Sequence, residues 1–257
     1  MSRFIDKLKR VSQAGSPPMG FGARHSISKP RLLLVANLSQ AGIDNPAELV
    51  AGADAGLLRI EDSGLGSILL KKIAKVVPDI PWGGWLNSIS RGEVKQIMEA
   101  GYDFLVFPPE ISLEVLGDEK VGRVLVVDAS LERDLVKVLD ELPVDAVLIN
   151  SQQAEYYPIT WHHLMLFKRF ATLSGKPLLV SVPSDITTDA LQLLWETGVD
   201  GLVIEVIPEQ PAGGLKRLRQ AIDSLTLPSK RKRMRTRAIV PTLKAEATPI
   251  TDEEEEE

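Results

Sequence analysis

Thr197-Gly-Val-Asp-Gly-Leu-Val-Ile-Glu-Val206 reads as the end of a helix, a turn and a buried strand. Glycine at 198 tolerates the left-handed conformation that closes a helix. Asp200 sits in the turn, and the β-branched run from Leu202 to Val206 suits a strand covered on both faces, as in a parallel sheet. The same grammar recurs three times: Gly52-Ala-Asp54 before Leu57–Ile60, Gly101-Tyr-Asp103 before Phe104–Phe107, and Pro143-Val-Asp145 before Ala146–Ile149. The aspartates lie 49, 42 and 55 residues apart (54, 103, 145, 200). Four further strand patterns, Arg31–Asn37, Ile80–Asn87, Arg123–Asp128 and Lys176–Pro183, fall between or beside them. Eight strands alternating with helices predict an α/β fold, a single (β/α)8 barrel.

The chain has 257 residues, 44% apolar and 25% charged, a globular composition with ample length for one barrel. It divides into an N-terminal arm and loop (1–30), the barrel (31–228) and a charged tail (229–257). The arm carries six Lys/Arg against one Asp, the tail seven of each sign, and the barrel segment 17 against 27, or −10. An acidic body argues against a nucleic-acid-binding barrel, which would need a basic face. The basic run Lys230–Arg237 and the acidic run Glu253–Glu257 are expected to be disordered. With no cysteine there is no disulfide framework, thiolate nucleophile or Cys-ligated metal. No apolar run reaches membrane-spanning length and the first residues lack a signal-peptide core, so the expected location is cytoplasmic.

In the arm, Phe4, Ile5, Leu8 and Val11 share one helical face, with Arg3, Lys7, Lys9 and Arg10 around the rest. Such a helix either plugs or packs on the barrel, or docks on an anionic membrane surface or a partner. Asn45-Pro46 opens a short helix ending at Gly52. Ile68, Leu69, Ile73, Val76 and Val77 form the inward set of the next helix, and Ser90-x-x-Glu93 is a capping box before Val94, Ile97 and Met98. Ser130 is placed as the cap of a helix whose Leu131, Leu135, Val138 and Leu142 share a face. Thr160 caps a helix over 161–174 that is apolar nearly all round, and cover from a second copy of the chain or from the arm is expected for it. Leu191 and Leu194, then Leu215, Leu218, Ile222 and Leu225, mark the last two helices. The connection 151–159, with Gln152, Gln153, Tyr156 and Tyr157, is the longest strand-to-helix loop and is expected to act as a lid.

A barrel of this kind builds its site where strands end. The last polar residues of the strands are Asn37, Glu61 with Asp62, Asn87, Glu110, Asp128, Asn150, Ser184 and Glu205. None is Lys, which argues against Schiff-base chemistry. The three histidines, His25, His162 and His163, lie off the strands, which argues against a His-rich zinc site. Carboxylates remain, with Asp128, Glu205 and Glu61 as candidate catalytic groups. Two carboxylates facing one cavity can divide into acid and base or hold one Mg2+ or Mn2+ through oxygen. Asn37, Asn87, Asn150, Ser184, Gly213 and Gly214 are the candidate substrate contacts, the two glycines as a phosphate-binding helix entry. Arg59 and Glu61 share parity in strand two, so both face the barrel interior or both face the helices. Trp82 and Trp85 around Gly83-Gly84 either fill the core or leave room for a ligand.

The repeated Gly-x-Asp-x-apolar strand entries and Gly213-Gly214 after strand eight resemble the aldolase-type barrels, which include phosphate-binding isomerases, epimerases and lyases. The resemblance covers roughly 31–228. In the sugar-phosphate isomerases of histidine and tryptophan biosynthesis, an acid ending strand five acts with one ending strand one. Asp128 stands at the first position, but Asn37 stands where an acid or thiol is expected, a departure from that reaction. Flavin-dependent members would need basic phosphate contacts and usually a barrel Lys, which are absent from the strands, so no flavin is expected.

The leading expectation is a small-molecule enzyme, an isomerase or lyase using carboxylate acid–base or metal-assisted chemistry. The alternative is a barrel without chemistry that acts as a binding or scaffold protein through its basic arms.

Overall fold

The computed structural model describes residues 2–13, 32–38, 45–60, 63–87, 93–113, 120–150, 158–206 and 213–225. Eight parallel strands close in sequence order: β1 Leu33–Leu38, β2 Ala55–Ile60, β3 Trp82–Leu86, β4 Phe104–Phe107, β5 Gly122–Val127, β6 Ala146–Ile149, β7 Leu178–Val182 and β8 Gly201–Val206. The helices are α1 Arg3–Gln13, α2 Pro46–Leu49, α3 Ser63–Val76, α4 Glu93–Ala100, α5 Arg133–Val138, α6 Trp161–Leu173, α7 Thr188–Thr197 and α8 Gly214–Ser224. No helix among the described residues is long and apolar enough to cross a membrane. The tail 229–257, the lid loop over 151–157, Glu61, Asp62 and the glycine-rich stretch of the arm lie outside the described residues.

The repeated motif works as a clasp at the bottom of the barrel. The backbone N–H groups of Asp54, Asp103, Asp145 and Asp200 each donate, at 2.8 Å, to the carbonyl of Leu34, Trp82, Arg123 and Leu178. In three of the four, the aspartate side chain also accepts the N–H of that same residue: Leu34 onto Asp54, Arg123 onto Asp145 and Leu178 onto Asp200. Gly52, Gly101 and Gly198 take positive φ, which reverses the chain before three of these aspartates.

The fourth carboxylate is used differently. Asp103 accepts from Ser2 Oγ at 2.7 Å, Arg3 N at 2.8 Å and Phe4 N at 2.9 Å, and Ser2 Oγ in turn accepts from Ile5 N. Asp103 therefore holds the N-terminus of α1, where N–H groups lack helical partners and a negative charge is favoured. The helix then plugs the barrel, with Phe4, Ile5, Leu8 and Val11 buried among the inward strand side chains. The Phe4 and Phe104 rings stack with centroids 4.3 Å apart. Lys7 reaches the Asp54 carbonyl, Lys9 pairs with Asp145 at 2.9 Å, and Arg3 bonds the Asp79 carbonyl. The apolar face weighed for membrane docking is thus spent inside the barrel.

Strand register stacks the inward side chains in layers drawn alternately from odd and even strands. Leu33 and Gly122 lie lowest, then Ala55, Phe104, Ala146 and Gly201. Val35, Gly83, Val124 and Leu179 follow, then Leu57, Val106, Leu148 and Val203. A Cβ on Gly83 would come within 2.4 Å of the Phe104 ring, so the small residues of β3 make room for core side chains. On the other face, Trp82 is buried and its Nε1–H donates to the Val77 carbonyl.

Two helical faces differ from expectation. Helix α5 starts at Arg133 with Glu132 as its N-cap, and buries Val136 and Leu139 while Leu135, Val138 and Leu142 are exposed. Ser130 is not its cap: it lies two residues before Glu132, in the turn where its N–H and hydroxyl donate to Asp128. Ile68 and Val76 of α3 are likewise exposed, and Leu70 and Ile73 are buried. Thr160 does cap α6, and Leu191, Leu194, Leu215, Leu218, Ile222 and Leu225 are all buried.

Loss of the plug should be costly. Phe4→Ala is expected to destabilise the chain by roughly 3–5 kcal/mol, the range for a large aromatic removed from a core. Asp103→Ala should cost about 1–2 kcal/mol as a lost helix cap. Urea denaturation of the full chain measures both, and a loss below 1 kcal/mol for Phe4→Ala would contradict a plug that bears load.

Candidate functional site

The barrel is sealed from below by α1, and its interior becomes polar only towards the C-terminal ends of the strands. Side chains two residues apart on a strand share a face, so Asn37 follows Val35 inward, Arg59 follows Leu57, Ser181 follows Leu179 and Glu205 follows Val203. The uppermost layer from the odd strands is Asn37, Trp85, Val126 and Ser181. The next, from the even strands, holds Arg59, Glu205 and, just past β6, Asn150.

Asn37 is the most constrained of these. It is only 6% exposed, and its Oδ1 is buried with no hydrogen-bond partner. A buried acceptor left unmet costs about 1–3 kcal/mol. Its neighbour across the β1–β8 ladder is Glu205, paired Cα to Cα. Glu205 is half-buried and makes no hydrogen bond or ion pair with a described residue. On the other flank of Asn37, the Arg59 guanidinium lies over the Trp85 ring, 5.9 Å from its centroid. This resolves the parity question for strand two: Arg59 faces the interior, a placement suited to attracting negative charge.

Asp128 is placed differently from Glu205. It lies just beyond β5 and is exposed, and its Oδ1 accepts from the Ser130 N–H and hydroxyl at 2.6 and 2.5 Å. Those two hydrogen bonds, the hydroxyl one foremost, hold its carboxyl below the usual carboxylate value. A carboxylate stabilised in its charged form is a poor proton donor at neutral pH. Asn87 and Glu110 are exposed, Ser184 lies in the turn after β7, and Gly213 opens α8 with φ of 96°. Gly214 is the first residue of α8, and a Cβ on either glycine would meet nothing within 4 Å. Glu61 lies outside the described residues.

Ser181, which lines the interior beside Val203, was not among the candidates from sequence. Its alternation with Leu179 marks it as inward, whereas Ser184 is merely the last polar residue before the helix. Among the described residues no group of three or more His, Asp or Glu side chains is arranged to hold a metal ion. His163 serves α6 itself: the Thr160 N–H donates to its Nδ1 at 3.1 Å, and Thr160 Oγ1 accepts from the His163 N–H. Burial, then the charge of His162, lowers its pKa, which keeps the accepting, neutral ring. Trp161 and Met165 remain 75% and 64% exposed on α6. Helix α1 of the arm does not cover them, since it lies beneath the barrel.

No protein-family signature matches the chain, and no curated protein does. Solved structures of similar shape do. The tryptophan synthase alpha subunit from Legionella pneumophila str. Paris superposes with a TM-score of 0.62 at 15% identity, over 88% of this chain and 100% of that one. A mutant tryptophan synthase alpha-subunit from Pyrococcus furiosus gives 0.59 at 13% identity, over 74% and 96%. A protein from Aquifex aeolicus VF5 gives 0.58 at 14%, over 85% and 95%. The shared feature is the closed eight-stranded (β/α)8 barrel fold.

The two carboxylates should part company on mutation. A carboxylate whose folded pKa is depressed adds stability above its unfolded value, near 3.8, and loses it as pH falls through the folded value. Asp128→Asn is therefore expected to melt below the parent at neutral pH, with the gap closing in acid. Glu205→Gln, with no partner among the described residues to lose, should melt at or above the parent. Thermal melts of the three proteins across that pH range check both; a Glu205→Gln protein clearly less stable than the parent would mean that Glu205 holds the fold together.

Proposed function

We propose that the chain is a small-molecule enzyme of the isomerase or lyase type, working at the C-terminal mouth of the barrel by carboxylate acid–base chemistry. The observation that carries this reading is the Glu205 carboxylate, without a partner among the described residues, in register beside the buried, unmet Asn37. Glu205 is the proton acceptor, Asn37 positions the group that loses the proton, and the inward Arg59 steadies negative charge formed as it leaves. Asp128 is retained from the candidate pair as a rim residue that orients substrate through its charge. Asn150, Asn87, Ser184 and Glu61 complete the substrate contacts. The opening of α8 at Gly213-Gly214 offers free N–H groups to a substrate phosphate. A divalent cation such as Mg2+ or Mn2+ would bind through Glu205 and ligand oxygens. The tryptophan synthase alpha subunits, similar in fold, support an enzymatic barrel in general terms.

Exposed Trp161 and Met165 favour a second reading, a binding or scaffold barrel whose α6 face meets a partner or another copy of the chain. The basic tail would then make secondary contacts with anionic surfaces. A cytoplasmic setting suits both readings.

The two readings separate on Glu205. Once a turned-over compound is found by screening phosphorylated hydroxy- and keto-compounds, Glu205→Gln should lower kcat by about 10²–10⁴-fold with the fold intact. Trp161→Glu should leave kcat alone. No turnover of any compound, with a sedimentation coefficient that falls on Trp161→Glu, would replace the enzyme reading by the scaffold one.

A further inference from the structure

We infer that the mouth takes a neutral carbonyl compound, its carbonyl oxygen on the Asn37 side-chain N–H group and its adjoining C–H towards Glu205. The inference rests on the mouth being the acid–base site proposed above and names its class of substrate. Asn37 and Glu205 are partners across the β1–β8 ladder, with backbones about 4.8 Å apart, and both face the interior. The Asn37 carboxamide has a direction. Its Oδ1 is the buried atom, while its Nδ2 keeps accessible surface and has no hydrogen-bond partner among the described residues. Leu33, Val35, Leu57 and Val203 fill the barrel beneath it, so the Nδ2 end opens upward to the mouth with two N–H donors. Glu205 beside it is half-buried and, when ionised, only accepts. The mouth thus sets a donor and an acceptor side by side.

This pair selects by charge. An ammonium suits Glu205 but meets the N–H groups of Asn37. A carboxylate or phosphate suits Asn37 but meets the charge of Glu205. A neutral group with an acceptor oxygen on one atom and a hydrogen to give from the next suits both. Among such groups, a carbonyl makes the adjoining C–H removable by a carboxylate, because the electron pair left behind is delocalised onto oxygen. Glu205 takes the proton, the C–H pair becomes a C=C bond, and the C=O π pair moves to oxygen as an enolate received by the Asn37 N–H. In an α-hydroxy ketone, the proton returns to the former carbonyl carbon and the hydroxyl proton passes between the oxygens. Ketone and aldehyde are thereby exchanged with no oxidant or co-reactant. Trp85 and Val126, in the same layer as Asn37, give the carbonyl an apolar wall that strengthens its hydrogen bond. The Arg59 charge over Trp85 favours the oxygen as it turns negative.

The test uses the full chain labelled with carbon-13 and nitrogen-15, with the Asn37 side-chain amide signals assigned through bonds. Hydroxyacetone is titrated against propylene glycol, ethylammonium and acetate at equal ionic strength, and its uptake of deuterium from heavy water is followed by proton NMR. Hydroxyacetone is expected to move the Asn37 signals further than the other three and to exchange its C–H hydrogens. Glu205→Gln should keep that binding and slow the exchange by about 10²–10⁴-fold. Asn37→Leu should lose the binding, slow the exchange by about 10²-fold and melt at or above the parent. If the glycol or either ion moves the signals as far as hydroxyacetone does, the carbonyl is not what is recognised, and this inference falls while the mouth remains a ligand site. If hydroxyacetone binds but exchanges no faster with the parent than with Glu205→Gln, the inference and the acid–base role of Glu205 both fall. If no probe moves the signals, Asn37 is structural and the reading of the mouth falls with the inference.

Discussion

An aspartate that gives and takes a hydrogen bond with one residue of the preceding strand sets the base of this barrel. In a parallel ladder, the N–H of that residue would bond the carbonyl two positions before the aspartate. At Gly52 and Gly198 the chain is turning there with positive φ, so that carbonyl is out of place. The aspartate carboxylate takes its role, accepting from Leu34 and from Leu178. The substitution lets a tight helix-to-strand turn coexist with a ladder in which few backbone groups go unmet. Asp200, fully buried, is tolerable as a carboxylate only because such donors surround it.

The plug helix uses the same device. Asp103 directs its carboxylate to the first N–H groups of α1, while Lys9 pairs with Asp145 and Asp54 binds Arg219 of α8. One repeated residue type therefore joins strand to strand, cap to barrel and outer helix to barrel. Of the basic side chains of α1, Lys9 meets a carboxylate of this ring, Asp145, while Lys7 and Arg3 reach the Asp54 and Asp79 carbonyls. Charge that could pass for a membrane-binding signal is, for Arg3, Lys7 and Lys9, internal complementarity.

Much of this was legible in the sequence because the governing signals are local. A turn residue, then aspartate, then an apolar run encodes turn and strand within ten residues; it occurs four times, with glycine in three copies and Pro143 in the fourth. The side of α1 that is buried followed from its 3.6-residue period. What could not be read was which of two apolar stripes a helix buries. Helix α5 carries Leu135, Val138 and Leu142 on one side and Val136 and Leu139 on another, and the choice depends on where the helix begins. Asp128 captures Ser130, the start moves to Arg133, and the buried stripe is the one that periodicity alone ranks lower. For the site, strand ends are legible but not their commitments: Asp128 and Glu205 are both acids at strand ends, and only geometry separates one hydrogen-bonded to its own turn from one without a partner among the described residues. Ser181 was passed over for Ser184 because the last polar residue of a strand was taken in place of the last inward one.

The two ends of the barrel differ in how their polar groups are met. At the bottom, Asp54, Asp103, Asp145 and Asp200 are matched by backbone N–H groups, a serine hydroxyl, Lys9 or Arg219. Each such bond adds stability in the folded chain alone. At the top, the Asn37 amide oxygen is buried and unmet. A fold selected only for stability would place leucine at position 37, as it does at 33 and 34 on the same strand, because an apolar side chain there removes a desolvation cost without losing a bond. Keeping the amide at position 37 therefore costs the folded chain stability that the matched carboxylates at the bottom of the barrel provide. The two ends of the barrel axis thus differ: the acidic base holds the strands through matched hydrogen bonds, and the rim carries a buried amide oxygen that none of them meets.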